Sequence, residues 1–141
     1  MGGISWDDYF MDLAQIVKEK SKDPRVKVGA VLVSNKDHRI VSTGYNGLKS
    51  GIDESVLDWT NRDQVKDLII HAEENAILYA RGDYSDSTLY ITTSPCCSCI
   101  RLISAVNITR IIYEDSYKDI LKSKELAKIF GIEFNRIQKN L

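Results

Sequence analysis

The stretch LYITTSPCCSCIRLI, residues 89–103, contains all three cysteines of the chain within four positions. Its first residues are β-branched and apolar, as in a buried strand, and a helical pattern follows Pro95. Proline can lead into a helix but does not fit in its middle. We therefore predict that Cys96 lies at the entry of this helix and Cys99 in its first turn.

Helical geometry separates the three thiols into two classes. Positions three apart share one helix face, so Cys96 and Cys99 can point to a common ion, whereas Cys97 is rotated by about 100° from Cys96. The positive end of a helix also favours ionised thiols. We predict that Cys96 and Cys99 bind a metal ion and that Cys97 does not.

A second motif, HAE at residues 71–73, supplies an imidazole and a carboxylate. Residues two apart on a regular helix point to different sides, so His71 and Glu73 can face one point only if His71 lies at the helix boundary. One imidazole and two thiolates leave the fourth position of a tetrahedral zinc ion open for water, which is typical of catalytic sites. We predict zinc ligands His71, Cys96 and Cys99, with Glu73 as general base and acid. The combined HxE and PCxxC pattern is the established signature of zinc-dependent nucleobase deaminases.

Hydrophobic periodicity and turn residues predict helices and strands that alternate along the chain. The predicted helices cover residues 5–20 (Ser5 as N-cap), 71–82 (Gly82 as stop), 99–106 and 117–129. The predicted strands cover residues 26–34, 38–47, 88–93, 109–113 and 132–137. Residues 47–70 are predicted to be irregular. This order predicts one α/β domain over residues 1–141, with three α/β/α layers and a central mixed sheet of about five strands that has helices on both faces.

Composition limits the class of protein. The chain has 141 residues, 43% of them hydrophobic, and a formal net charge of −1. A net charge of −1 gives no indication of a basic surface that would bind a nucleic acid. The N-terminus lacks a signal-like pattern and no apolar run is long enough to span a membrane, so we expect a cytoplasmic protein without a membrane partner.

Four segments resemble, in this order, the deoxycytidylate (dCMP) deaminase family of the cytidine deaminase-like superfamily. They are SKDPRVKVGAVLV, IVSTGYNG, HAEENAI and LYITTSPCCSCIRLI, and the resemblance covers roughly residues 5–117. It implies hydrolysis of dCMP to dUMP and ammonia, which would supply dUMP for thymidylate synthesis. Some relatives carry a second, structural zinc, but residues 48–70 contain no Cys or His. We therefore expect one zinc per chain.

The same resemblance implies further contacts and partners. The backbone N–H of Ala72 would hold the cytosine O2, and the Ser94 carbonyl would accept from the leaving amino group. Asn46 would contact the nucleoside, Arg25 the 5′-phosphate, and Tyr117 would lie near the substrate. Family members are commonly homohexamers activated by dCTP and inhibited by dTTP, with Mg²⁺ accompanying the nucleotide effector.

Three alternatives stay open at this point. Deamination of free cytidine, deoxycytidine or guanine uses the same chemistry, and only a phosphate contact such as Arg25 distinguishes it. A tRNA adenosine deaminase has the same ligand set but would be expected to carry basic surface. A non-catalytic structural zinc module would need a fourth protein ligand, for which His38, in a polar turn, is the one remaining histidine.

Overall fold

A computed structural model describes residues 3–138 and contains one five-stranded sheet. The helices are α1 Trp6–Lys18, α2 Arg62–Leu68, α3 Ala72–Leu78, α4 Cys97–Ala105 and α5 Ile120–Ile129. The strands are β1 Gly29–Ser34, β2 Ile40–Tyr45, β3 Ser87–Thr93, β4 Ile108–Asp115 and β5 Glu133–Arg136. Their spatial order is β2-β1-β3-β4-β5; β1 is antiparallel to both neighbours, and β3, β4 and β5 are parallel. The predicted mixed sheet is confirmed. Within residues 3–138, every helix is too short or too polar to cross a bilayer.

Successive residues of the central strands point into two different cores, as the period of a strand requires. One core joins the sheet to α1 and contains Phe10, Met11, Ala14, Val31, Val33, Tyr90 and Ile112. The other joins the sheet to α3, α4 and α5 and includes Ala30, Leu32, Ala76, Leu89, Ile91, Ile100, Ile111 and Ala127. Helices therefore cover both faces, which confirms the predicted three layers.

Strand direction brings two helix starts to the same edge of the sheet. Because β2 and β3 are both antiparallel to β1, they run in the same direction and end at the same edge, next to the start of β1. Helices α3 and α4 follow these two strands and pack on the same face. Their N-termini therefore lie close together at this edge.

The chain between β2 and α3 leaves the sheet and returns to it. An isolated bridge closes this excursion, with Gly47 N–H donating to the Ile70 carbonyl (3.1 Å) and Ile70 N–H to the Gly47 carbonyl (2.9 Å). The prediction of an irregular segment is wrong for Arg62–Leu68, which form α2. This helix has seven residues and buries only Val65. Its sequence therefore lacks the repeated apolar positions by which a helix is predicted.

Three helices are shorter than predicted, and the first of them, predicted to end at residue 20, ends at Lys18. The helix predicted to end at Gly82 ends at Leu78, and Gly82 lies in the following loop with a positive φ of 77°. The helix predicted to begin at Tyr117 begins at Ile120. Before this helix the Tyr117 N–H donates to the hydroxyl of Ser94 (2.6 Å), and the Ile120 N–H donates to the Tyr117 carbonyl (3.1 Å) in a turn.

Gly44 of β2 allows α3 to pack directly on the strand. A methyl group at this position would collide with the Ala72 carbonyl and lie 2.5 Å from the Ala76 nitrogen. We expect Gly44→Ala to push the start of α3 off the sheet and to lower the free energy of unfolding by about 1–3 kcal/mol, measured by urea denaturation. Gly47→Ala is the matched control, since its nearest neighbour is a ring carbon of Tyr45 at 3.7 Å. Equal losses in the two variants would contradict this explanation.

Candidate active site

The two predicted motifs occupy the starts of α3 and α4. His71 is the N-cap of α3 and Cys96 is the N-cap of α4, both with extended backbone (φ −70°, ψ 157° and φ −72°, ψ 168°). The predicted position of His71 at a helix boundary is confirmed. So is the entry of the second helix at Cys96, with Cys99 in its first turn.

The three predicted ligand side chains come together at this edge. His71 Nδ1 lies 3.2 Å from Cys99 Sγ and 3.8 Å from Cys96 Sγ, and the two sulfur atoms are 3.5 Å apart. Within the described part of the chain, no other set of three or more His, Cys, Asp or Glu side chains is placed to hold one metal ion.

These separations fit a tetrahedral zinc ion. Bonds of about 2.3 Å to sulfur and about 2.0 Å to nitrogen place two sulfur ligands about 3.8 Å apart and a sulfur–nitrogen pair about 3.5 Å apart. The three observed distances lie close to these ligand–ligand separations. Nitrogen and sulfur donors are also those that zinc prefers. The residues present therefore fit the ion that the sequence predicts.

Cys97 lies outside this cluster. Its Sγ is 3.8 Å from the Ser123 hydroxyl of α5. The side chain thus faces the neighbouring helix, whereas Cys96 and Cys99 face His71. This is the arrangement that the helical rotation between positions 96 and 97 predicts.

Glu73 places a buried carboxylate beside the cluster. Its Oε1 lies 3.3 Å from His71 Nδ1 and accepts from the Cys99 thiol at 3.0 Å. Only 5% of the Glu73 side chain is exposed, whereas the His71 side chain is 45% exposed. The cluster is therefore open to solvent beside His71, and the carboxylate lies on its inner side.

Hydrogen bonds and burial shift the pKa values of the clustered side chains in different directions. The hydrogen bond with Cys99 and then that with His71 lower the pKa of Cys96, whereas the hydrogen bond with Cys96, burial and the nearby Glu73 raise the pKa of Cys99. Hydrogen bonds with Cys96 and Glu73 raise the pKa of His71 to about 10. Since a metal ion needs deprotonated ligands, metal binding must release protons here.

Glu74 supports His71, a role that we did not predict. Its Oε1 accepts from the backbone N–H of His71 at 2.9 Å. A glutamate three residues after an N-cap is the local signal of this arrangement. We could have found it once His71 was predicted at the helix boundary.

Asn46 is largely buried and holds the chain that leads into β1. Its Oδ1 accepts from Val28 N–H and its Nδ2 donates to the Val26 carbonyl, both at 2.8 Å. These bonds replace strand pairing, so β1 begins at Gly29 and not at residue 26, as the sequence suggested. Both polar ends of the Asn46 amide are engaged, and its contact with a nucleoside stays a prediction.

A partly buried ion pair joins the excursion to the segment SKDPR. Asp23 is 2% exposed and binds the Arg62 guanidinium through both oxygens, at 3.2 and 3.0 Å. Burial raises the pKa of Asp23, but Arg62 and the backbone N–H groups of Arg25 and Val26 more than offset this, so the pKa lies below its usual value. Sequence analysis missed Asp23 and Arg62, because the pair spans 39 positions.

Arg25 lies next to this ion pair and is exposed. Its backbone N–H donates to Asp23 Oδ1 at 2.8 Å. Within residues 3–138, its guanidinium makes no hydrogen bond or ion pair. The side chain is thus available for an anion.

The remaining predicted residues flank the cluster. Ala72 is the first residue of α3, so its N–H has no partner within the helix. Ser94, buried just before the cysteines, donates its N–H to the Asp115 carbonyl (2.8 Å) and accepts from Tyr117 N–H. Tyr117 itself is 38% exposed. Ala72 is adjacent to His71, and Ser94 is two residues before Cys96. Tyr117 is linked to this region through its bond to Ser94.

Comparison with known proteins identifies the family. The model of the cytidine and deoxycytidylate deaminase zinc-binding region matches residues 4–115. A probable deoxycytidylate deaminase of Drosophila melanogaster is 36% identical over 148 residues, covering 94% of this chain and 72% of that protein. The deoxycytidylate deaminase of Homo sapiens is 35% identical over 143 residues, covering 94% and 80%.

A solved structure supports the same fold. The dCMP deaminase from the cyanophage S-TIM5, in complex with dCMP and dUMP, matches with a TM-score of 0.82 and 23% sequence identity. The match covers 97% of this chain and 100% of that one. Taken with the family match and the two relatives, the His71, Cys96 and Cys99 cluster shows that the chain belongs to the cytidine and deoxycytidylate deaminase family.

Proposed function

We propose that this protein is a zinc-dependent hydrolase that converts dCMP and water to dUMP and ammonia. The observation that carries the proposal is the buried Glu73 carboxylate beside the cluster of His71, Cys96 and Cys99. Sequence identity of more than 30% with deoxycytidylate deaminases supports the choice of substrate. In this proposal the three clustered side chains hold one zinc ion per chain.

The chemistry divides between the metal and Glu73. Zinc, when bound by the three side chains, would supply the Lewis acidity that makes a water molecule easier to deprotonate at neutral pH. Glu73 accepts one proton from the attacking water and passes it to the ring nitrogen N3 as the water oxygen bonds to C4. It then transfers the second proton of that water to the amino group, and the bond between C4 and the amino nitrogen breaks to release ammonia. Its burial keeps bulk water away from these transfers.

Backbone groups beside the cluster are suited to orient the base. We assign the free N–H of Ala72 to the cytosine O2, because Ala72 stands between His71 and Glu73 at the positive end of α3. The Ser94 carbonyl would accept from the amino group that leaves. Tyr117, which is 38% exposed, would contact the nucleoside, and the largely buried Asn46 would do so from within the chain that leads into β1.

A structural zinc module receives no support from the described residues. Such a site closes all four positions with protein ligands. His38, the candidate for the fourth, instead stacks on Trp6 with ring centroids 4.3 Å apart and an interplanar angle of 9°. The net charge of −1 likewise gives no support to a tRNA substrate.

A substrate comparison tests the proposal directly. Zinc-loaded protein is assayed for ammonia release from dCMP, dCTP, deoxycytidine and cytidine. We expect the highest kcat/KM for dCMP. A preference for the unphosphorylated nucleosides would refute the assignment, and no turnover of any of the four would favour a binding role.

Arg25 provides a sharper test of phosphate recognition. A guanidinium that binds a phosphate contributes about 1.5–3 kcal/mol, so Arg25→Ala should raise KM for dCMP by about 10- to 100-fold and leave deoxycytidine turnover unchanged. Arg39→Ala, which removes the same charge in the exposed turn before β2, is the control. Equal losses with both substrates would show that Arg25 does not bind the phosphate.

We also propose the regulation and assembly that are common in this family. In this view dCTP activates and dTTP inhibits, with Mg²⁺ bound to the effector, in a homohexamer. Family membership is the support for these points. The three cysteines form no disulfide within residues 3–138, which fits a reducing compartment such as the cytoplasm. Titration of dCTP and dTTP at subsaturating dCMP tests the regulation, and light scattering of the purified protein tests the homohexamer.

A further inference from the structure

Ser123 of α5 connects this helix to the segment that carries the cysteines. The residue is completely buried. Its hydroxyl donates to the Pro95 carbonyl at 3.0 Å and lies 3.8 Å from Cys97 Sγ. These two partners are the residues immediately before and after Cys96.

Helix α4 does not itself provide a partner for the Pro95 carbonyl. The first bonds of this helix start one residue later, where Cys99 N–H and Ile100 N–H both donate to the Cys96 carbonyl at 3.1 Å. Pro95 is buried, so its carbonyl is shielded from water. The hydroxyl of Ser123 therefore satisfies an acceptor that would otherwise be buried without a partner.

We propose that Ser123 is a positioning residue for the metal centre, acting through the backbone of Cys96. By holding residue 95 and packing against residue 97, it fixes the direction in which the Cys96 sulfur leaves the helix start. The Tyr117 N–H also donates to the Ser94 hydroxyl and so links the same segment to the residues before α5. This donor is a backbone group, whereas Ser123 donates through its side chain. This inference rests on the proposed zinc site.

The test compares two buried serines that make the same kind of bond. Ser87 is also completely buried, and its hydroxyl donates to the Tyr84 carbonyl at the opposite edge of the sheet. Zinc-loaded Ser123→Ala and Ser87→Ala proteins are mixed with the chelator 4-(2-pyridylazo)resorcinol, and the rate of zinc release is measured. We expect release from Ser123→Ala to be faster than wild type by about 10-fold, the lower range for residues that support a metal ligand, and release from Ser87→Ala to be unchanged.

A second pair separates the hydroxyl from the packing. Ser123→Thr and Ser123→Val add the same bulk, but only threonine keeps the donor. We expect slower zinc release from the threonine variant than from the valine variant, even if both melt at a lower temperature. Equal release from the two, or equal release from Ser123→Ala and Ser87→Ala, would overturn the proposal.

The rate of zinc release can be measured whether or not the protein deaminates dCMP. If the wild-type protein holds zinc but does not deaminate dCMP, the proposed function fails, while faster release from Ser123→Ala still supports the role of Ser123. If the wild-type protein does not hold zinc at all, both proposals fail.

Discussion

Replacing Glu73 by alanine or glutamine is expected to abolish deamination and to leave zinc bound. Neither side chain can accept a proton from water, and a positioned acid–base group contributes about 10²- to 10⁴-fold to rate. Because Glu73 also places its carboxylate beside His71 and Cys99, we expect the loss to lie near the upper end of that range. Ammonia release under saturating dCMP gives kcat, and metal analysis of the same samples gives the zinc content.

Glu74→Gln is the matched control for Glu73→Gln. The two changes remove the same charge from adjacent residues, but the amide oxygen of glutamine can still accept from the His71 N–H. We expect Glu74→Gln to keep kcat within about threefold of wild type. If Glu73→Gln retained more than about a tenth of the wild-type rate, Glu73 would not be the acid–base group.

The parts of the site that the sequence predicts are those set by local geometry. The rotation of about 100° per residue separates Cys97 from Cys96 and Cys99, and Pro95 fixes where their helix begins. The two-residue spacing of His71 and Glu73 is compatible with one site only at a helix start. The order of the helices and strands, with one helix before the first strand, likewise predicts helices on both faces of the sheet.

The parts that the sequence does not predict depend on contacts between distant segments. Asp23 and Arg62 form their partly buried pair across 39 positions, and Ser123 reaches Pro95 across 28. A serine in a helix is common, and its sequence context does not reveal that a carbonyl of another element lies within reach. Asn46 illustrates the same limit, because its amide bonds to Val26 and Val28 are evident only in the folded chain.

The bridge between Gly47 and Ile70 explains how the site tolerates a long excursion. Its two backbone bonds return the chain to the end of β2, directly before His71. The residue before His71 is therefore paired directly with the chain at the end of β2. The ion pair of Asp23 with Arg62 then ties this excursion to the loop that carries Arg25. We therefore expect substitutions in the excursion to reach Arg25, the proposed phosphate contact, through this ion pair.

Serine substitutions of the three cysteines are expected to divide into two groups. Cys96→Ser and Cys99→Ser should each lose zinc and activity, because a serine hydroxyl is a far poorer zinc ligand than a thiolate. We expect zinc affinity to fall by more than about 100-fold, the upper limit for residues that merely support a ligand. Cys97→Ser should keep both zinc and activity, since its sulfur faces Ser123. Zinc content after dialysis against a chelator, with kcat on the same samples, distinguishes the groups. Zinc loss in Cys97→Ser with retention in Cys96→Ser would mean that Cys97 is a ligand and would contradict the geometry of the cluster.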